Sequence, residues 1–362
     1  MAFKSSEIAV LIVNGQNYTD FESVEVTHRA KEFPFFMARF TTSEGVPFAK
    51  NFAAMQIRPG DFCSITLGGE IAFNGKVETR QAYVDARRHH VEIICVTRME
   101  VATSSVISQT MQWHDKTFGQ IARDILGKMG IPIKFVGGPE PTFKFPRASA
   151  EHGQSVLSFL DELSRGLPAE GVGLSFSNDV GGSFLVVMGP IPGDSNDAIV
   201  EGQNALILRE VWYNIAQSGD VPALGHRPGD DDLWGAAAAH KPFSSEALQT
   251  FGESFTPRTI VNEIPAWSNS VLRGRVGNES QWSQSDLITC TVTVQGWMKP
   301  SGGLWERGKD YSLTSPMLIM DRELLTAKVI VFSQDNTTGT RTTLTLCNKL
   351  ALGGDIPPLG KK

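Results

Sequence analysis

The chain has 362 residues, which at roughly 150 per domain points to two or three domains with cores large enough to need no disulfide staples. Hydrophobic residues make up 41% and charged residues 20%, an ordinary globular composition that argues against wholesale disorder. The 33 Lys+Arg against 39 Asp+Glu leave a net charge of −6, which argues against a protein that grips nucleic acid by neutralising phosphates.

The N-terminal apolar run Ile8 to Val13 is short and meets Asn14-Gly15, so it reads as a strand and a turn rather than a signal peptide. No stretch approaches the roughly 18–20 apolar residues of a membrane span, so no membrane insertion is expected. From residue 7 to 107 the pattern is β: EIAVLIV, FESVEVTHRA, FPFFMARFTT, the turn Arg58 to Asp61, FCSITL, EIAFNGKVETRQAYV, a charged tip at 85–88, and HVEIICVTRM. Short strands at such spacing predict a sandwich or barrel.

The character changes between 110 and 200. Phe118, Ile121, Ala122, Ile125, Leu126 and Met129 fall on one helical face, with Asp115 placed to cap the start and Gly130 to stop the helix. The strand IPIKFV follows. A second helix is predicted from Gln154 to Arg165, with Val156, Leu157, Leu160 and Leu163 inward. GVGLSFS and SFLVVM then flank a turn at 178–182 as a hairpin. LILREVWYNI at 206–215 returns to strand, 216–258 reads as loop, and 265–282 as a helix weakened by Gly274 and Gly277. Strands resume at 287–348, and the tail GGDIPPLGKK reads as frayed.

The two β regions resemble each other. IRPGDFCSITL (57–67) lies over ERGKDYSLTSP (306–316), and GKVETRQAYVDARRHHVEIICVTR (75–98) over AKVIVFSQDNTTGTRTTLTLCNK (327–349). The spacing from the Gly of the turn to the second Cys is 35 residues in one copy and 39 in the other. This order of Gly, Asp, aromatic, Lys-Val and Cys predicts a duplication. The expected fold is therefore β-rich α+β, with two tube-like β-barrels and an inserted small α+β module. Three such chains would form a pseudo-six-fold trimeric ring. The expected divisions are a first barrel at 1–108 with a return strand at about 204–216, an insert at 109–203, a connector at 217–286, a second barrel at 287–350 and a tail at 351–362.

The residues offer little chemistry. No H-E-x-x-H, G-x-S-x-G, Walker or dinucleotide pattern occurs, so no catalytic, cofactor or metal residues are expected. Cys63, Cys95, Cys290 and Cys347 each sit in an alternating apolar stretch and read as small buried hydrophobes. His89 and His90 follow Arg87 and Arg88 at a hairpin tip; adjacent strand residues point to opposite faces, which suits a partner contact better than a shared metal ion. Asp230 to Asp232 lack the spacing of a calcium loop. Trp234, in the loop LWGAAAA, is a candidate inter-subunit anchor.

The duplicated β unit, the insert and the segments IRPGDFCSITLGGEIAFNGKVE (57–78), DKTFGQIARDILGKMGIPI (115–133) and 292–346 resemble the Mu-type contractile-phage baseplate hubs, related to the late control protein D group. Trp297 after Gly296, the turn Gly308-Lys309-Asp310 and the strand TRTTLTL (340–346) carry the likeness, which spans roughly residues 7–350. The resemblance implies a structural, non-enzymatic homotrimer in the tail baseplate of a virion, assembled in the host cytoplasm. It would join a hexameric tail tube protein to a trimeric central spike, among other baseplate proteins, as a symmetry adapter. DNA would pass through without specific binding. A lumen carrying part of the −18 charge of three copies would repel phosphate, and Glu22, Glu25 and Glu78 are the lumen candidates. Two other readings compete. A tail-associated peptidoglycan hydrolase using 110–200 would need two opposed carboxylates, for which Glu151, Asp161 and Glu162 are poorly placed. A cell-wall-binding module would need an exposed aromatic platform.

Overall fold

The computed structural model describes residues 7–30, 36–43, 56–85, 89–99, 105–107, 112–167, 174–188, 197–212, 221–225, 243–247, 260–261, 271 and 288–348. Seven strands open the chain: β1 (Ala9–Val13), β2 (Gln16–Tyr18), β3 (Ser23–Arg29), β4 (Phe36–Ser43), β5 (Phe62–Leu67), β6 (Glu70–Val84) and β7 (His89–Val96). β1 shows how they form. Ala9, Leu11 and Val13 alternate into the core, and Asn14 and Gly15, with φ of 49° and 81°, close a two-residue hairpin to β2. Two successive positive φ angles suit the right-handed twist of a hairpin, and Asn-Gly adopts them with little strain.

The insert starts with β8 (Gln112–Trp113), β9 (Lys116–Thr117) and helix α1 (Phe118–Leu126). The cap of α1 is Thr117, not Asp115. The Thr117 hydroxyl accepts from the Gln120 N–H, and the Gln120 side chain accepts from the Thr117 N–H, a reciprocal box that satisfies two orphan donors. Asp115 instead holds a left-handed turn at φ 51°. The helix tightens into a 3-10 turn at Gly127–Met129 and stops at left-handed Gly130. That tightening carries Met129 off the buried face and leaves it exposed. Strands β10 (Ile133–Val136), β11 (Lys144–Phe145) and β12 (Ala148–Ser149) lead to α2 (Val156–Arg165), capped by Ser155. Phe159 takes the inward place expected of Leu157, which is half-buried. β13 (Ser175–Asn178) and β14 (Phe184–Val187) form the expected hairpin, and β10 joins β14 in parallel. Phe118, Phe176 and Phe184 stack in the core between helix and sheet.

The chain continues through β15 (Ile199–Val200), β16 (Ala205–Trp212), β17 (Val221–Gly225), β18 (Phe243–Ala247), β19 (Ile260–Val261), β20 (Ile288–Gln295), β21 (Asp310–Ser315), β22 (Met320–Asp335) and β23 (Gly339–Asn348). Within the segment expected to be loop, β17 pairs with β18, and also with β19 just beyond it, in a small sheet. The helix expected at 265–282 lies, apart from Val271, outside the described residues, as do the acidic run 230–232 and the tail.

The two β regions do not stand apart as closed barrels. They share one 13-stranded sheet whose main path runs β16-β20-β23-β22-β3-β4-β7-β6-β5-β1-β2, and no closed barrel is present among the described residues. The bridge between them is β22, which is long enough to pair with β21, β23 and β3.

The duplication is visible in the hydrogen bonds. The Gly60 N–H donates to Val77 O at 2.8 Å and the Val77 N–H to Asp61 O at 2.9 Å. The Gly308 N–H donates to Ala327 O at 2.8 Å and the Ala327 N–H to Lys309 O at 3.0 Å. The next residue bulges in both copies, Glu78 between Val77 and Thr79 and Lys328 between Ala327 and Val329. The path β3-β4-β7-β6-β5 thus repeats as β16-β20-β23-β22-β21. The residue matches read from the sequence are displaced. Asp61 corresponds to Lys309 rather than Asp310, Val77 to Ala327 rather than Val329, and Cys95 to Leu346 rather than Cys347. All four cysteines are free and buried.

Candidate assembly interface

Three units meet around Phe36 at the start of β4. The His28 ring stacks on it at 3.9 Å, and the Arg307 guanidinium lies over it at 4.2 Å. Arg307 Nε donates to Ser177 Oγ at 2.9 Å, and its Nη2 donates to Asn178 O, so one side chain ties the second β copy to the insert and to the first copy. Burial pushes the Arg307 pKa down to about 9, against the pull of Asp179 and Glu306. An Arg at that value still carries its charge at neutral pH. Burial, with the nearby Arg307 charge, pushes His28 down to about 3. The ring is therefore neutral, and its Nε2–H donates to Ala72 O at 2.7 Å. A cleft of about 470 Å³ opens beside this junction, lined in part by Asp179, Lys299, Trp305 and Glu306. Glu306 accepts from Lys299 at 2.7 Å and Lys309 at 2.9 Å. Burial works against its charge, but the two lysines hold its pKa below the usual carboxylate value.

One face of the large sheet is apolar and packed: Val24, Val26, Phe36, Phe40, Ile93, Val292, Val294, Ile330, Phe332, Leu344 and Leu346 are all buried. The other is rich in hydroxyls. Thr289, Thr291 and Thr293 alternate along β20 against Thr343 and Thr345 of β23, and the Thr293 and Thr343 hydroxyls are 3.1 Å apart. Glu25, Arg39 and Glu92 share this face, so charges are interspersed among the hydroxyls.

Among the strand edges with a neighbour on one side only are β16 and the outer half of β6. β16 pairs on one side only, with β20. β6 pairs with β5 through Lys76 and with β7 through Val84, so its outer half has a neighbour on one side only. Both edges carry exposed apolar side chains: Leu206 (51%), Ile207 (52%) and Trp212 (61%) on β16, Tyr83 (56%) and Val84 (69%) on β6. Each also holds a polar atom that is shielded from solvent and has no hydrogen-bond partner, Glu210 Oε1 on β16 and Arg80 Nε on β6. Burial raises the Glu210 pKa above the usual carboxylate value.

The sequence candidates distribute as follows. Glu25 lies on the hydroxyl-rich face, opposite Arg39, whose Nε is 2.9 Å from Glu92. Glu22 precedes β3 with its carboxylate 3.5 Å from His90 Nδ1. Glu78 is the exposed bulge residue of β6. His89 opens β7 opposite Val84, at the end of the unpaired half of β6. Arg87, Arg88 and Trp234 lie outside the described residues. Sequence reasoning missed Arg307, which reads as a turn residue, and Trp212, one of several scattered tryptophans.

In the insert, Asp161 pairs with Arg165 one turn on, and Glu162 accepts from Gln154 at 2.5 Å, so both carboxylates are held in local contacts. No group of three or more His, Cys, Asp or Glu is arranged to hold a metal ion among the described residues. No described helix is long and apolar enough to cross a membrane.

No protein-family model matches the chain. It is similar to the baseplate hub protein gp44 of Escherichia phage Mu, at 23% identity over 339 residues that cover 91% of this chain and 85% of that protein. Among solved structures, it superposes on the 43 kDa tail protein of prophage MuSo2 from Shewanella oneidensis with a TM-score of 0.78 and 19% identity, covering 96% of this chain and 100% of that one. It also superposes on the tail protein from Neisseria meningitidis MC58, with a TM-score of 0.75 and 14% identity over 95% and 98% of the two chains. The resemblance to Mu-like tail proteins read from the sequence is thus met both by a relative and by fold.

Proposed function

We propose that this chain is the structural hub of a contractile phage or phage-like tail baseplate, acting as a homotrimer. The single observation that carries the reading is the duplication. One chain holds two copies of a five-strand unit, β3-β4-β7-β6-β5 and β16-β20-β23-β22-β21, joined side by side through β3 and β22. Three chains then present six similar units in a ring, so a three-fold object offers a six-fold rim. Such a ring meets a hexameric tube protein at one end and a trimeric spike at the other, alongside other baseplate proteins in the virion. It is assembled in the host cytoplasm before the tail is complete. The role is mechanical: shape and symmetry matching, with no reaction.

In this reading the hydroxyl-rich face lines the channel. Hydroxyls hydrate well and bear no charge, so DNA slides past without being held. Glu25 and Glu78 add negative charge there, partly balanced by Arg39, and Glu22 stands at the rim with His90. Trp234, Arg87, Arg88 and His89 are contact residues toward neighbouring chains or baseplate partners.

The test is the solution mass of the purified chain by light scattering, at low and moderate salt. A species near three times 39.5 kDa is expected. A monomer at every concentration, alone and with its tube protein added, contradicts the hub.

A further inference from the structure

The two copies meet within the chain along β22 and β3, and their hydrogen bonds define the register of that seam. β22 pairs with β3 from Val329 opposite Arg29 to Asp335 opposite Ser23. The copies superpose β6 on β22, with Val77 on Ala327 and Asp85 on Asp335. They superpose β3 on β16, because Val26 opposite Ala38 corresponds to Glu210 opposite Cys290. Ala38 and Cys290 are themselves equivalent, lying opposite Cys95 and Leu346. Within one chain, however, β16 and the outer half of β6 sit far apart in the strand order, at one end and near the other.

We propose that β16 of one chain pairs antiparallel with the outer half of β6 of the next, with Trp212 opposite Arg80, Glu210 opposite Ala82 and Leu208 opposite Val84. This rests on the trimeric reading above and gives its contact. In this register Glu210 and Arg80 are diagonal neighbours on the same face of the sheet, within reach of long side chains. The two shielded polar atoms left without partners, Glu210 Oε1 and Arg80 Nε, become each other's partners. Trp212 lies over the Arg80 stem, and half-buried Leu208 meets exposed Val84. On the opposite face, Arg209 faces Tyr83 and flanks Asp85. The pairing also accounts for the open sheet of the single chain, since the ring closes only when the third chain returns to the first.

Two measurements test the register apart from the trimer. In the first, Leu208→Cys/Val84→Cys is oxidised with copper phenanthroline and run on a non-reducing gel. Directly opposite residues lie about 4.5–5.5 Å apart at Cβ, a small backbone shift from the roughly 3.5–4.5 Å of a disulfide, whereas a pair offset by two residues lies about 7–8 Å apart. Covalent dimers and trimers are expected from this variant and not from Leu208→Cys/Ala82→Cys. In the second, Arg80→Glu and Glu210→Arg are each expected to lower the trimer fraction by tenfold or more at micromolar chain, and the double exchange to restore it. A trimeric mass with cross-links only at the offset pair, or at neither, overturns this register and leaves the hub reading in place. A trimer unaffected by the single charge reversals overturns the ion pair, and the register then stands or falls on the cross-links. A monomeric mass without cross-links overturns both the register and the hub.

Discussion

Strands β3 and β16 occupy equivalent places in the two copies, yet they carry different chemistry toward their next neighbour. On its packed face β3 shows Val24, Val26 and His28, and it meets Ile330, Phe332 and Gln334 of β22. In the equivalent places β16 shows Leu208, Glu210 and Trp212, while β6 shows Arg80, Ala82 and Val84. The seam inside the chain is thus mainly apolar and buried. The edges left at the ends are mixed, with exposed hydrophobics around a carboxylate and a guanidinium. A seam formed during folding has no competing partners and gains by maximal apolar burial. An edge that must wait for another chain risks pairing wrongly. A charge that is stranded in every register but one discriminates against the others.

The largest effect is expected where the inner seam is broken. Phe332 is fully buried and sits opposite Val26. Phe332→Ala is expected to lower the unfolding free energy by about 3–5 kcal/mol, read from the midpoint of urea unfolding. A change under about 1 kcal/mol means that the two copies hold together without this contact. The inner seam would then be no model for the outer one.

The duplication was legible in the sequence, but its register was not. Gly60 and Gly308 could be found because each must adopt a positive φ, 95° and 75°, at a turn where side chains are strained. The neighbouring letters misled. Asp61 and Asp310, Lys76 and Lys328, and Cys95 and Cys347 match as types yet occupy places one or two residues apart. A bulge at Glu78 and Lys328 adds a residue that alternation alone does not reveal. Alternation finds which residues are buried, not which strand lies beside them, so two separate barrels and one continuous sheet share the same pattern. The junction was hidden for a related reason. Arg307 resembles Arg58 in the aligned text, but the hydrogen bonds place it over Pro59, and only tertiary packing buries it against Phe36.

A middle effect distinguishes His28 from its counterpart Trp212 by pH. His28 is buried neutral, with its pKa lowered to about 3 from an ordinary value of 6.5. The unfolded chain takes up a proton as the pH falls through about 6.5, and the folded chain does not until about 3, so the unfolded state binds more protons in between. Stability from this group is therefore full above about pH 6.5 and declines on acidification. Between pH 7 and pH 5 the loss from this one group is expected to be about 2 kcal/mol. Denaturant unfolding at the two pH values measures it, with His28→Leu as the reference that lacks this part of the slope. Equal slopes in the two proteins would mean that the ring can be protonated in place.

The smallest effect on folding, and the sharpest contrast, belongs to Trp212. Its side chain is 61% exposed at the end of β16, so in the lone chain its removal uncovers little. Trp212→Ala is expected to change the unfolding free energy by less than about 0.5 kcal/mol when measured at concentrations where the chain is monomeric. The same variant should shift the monomer–trimer balance, since a large aromatic at an interface contributes through area that is buried only on association. Sedimentation at graded concentration reads the second effect, and urea unfolding of the dilute chain reads the first. If Trp212→Ala weakened folding as much as it weakened association, Trp212 would belong to the core of its own chain. The equivalence of β16 with β3 would then extend to burial, and the contrast between the two seams would disappear.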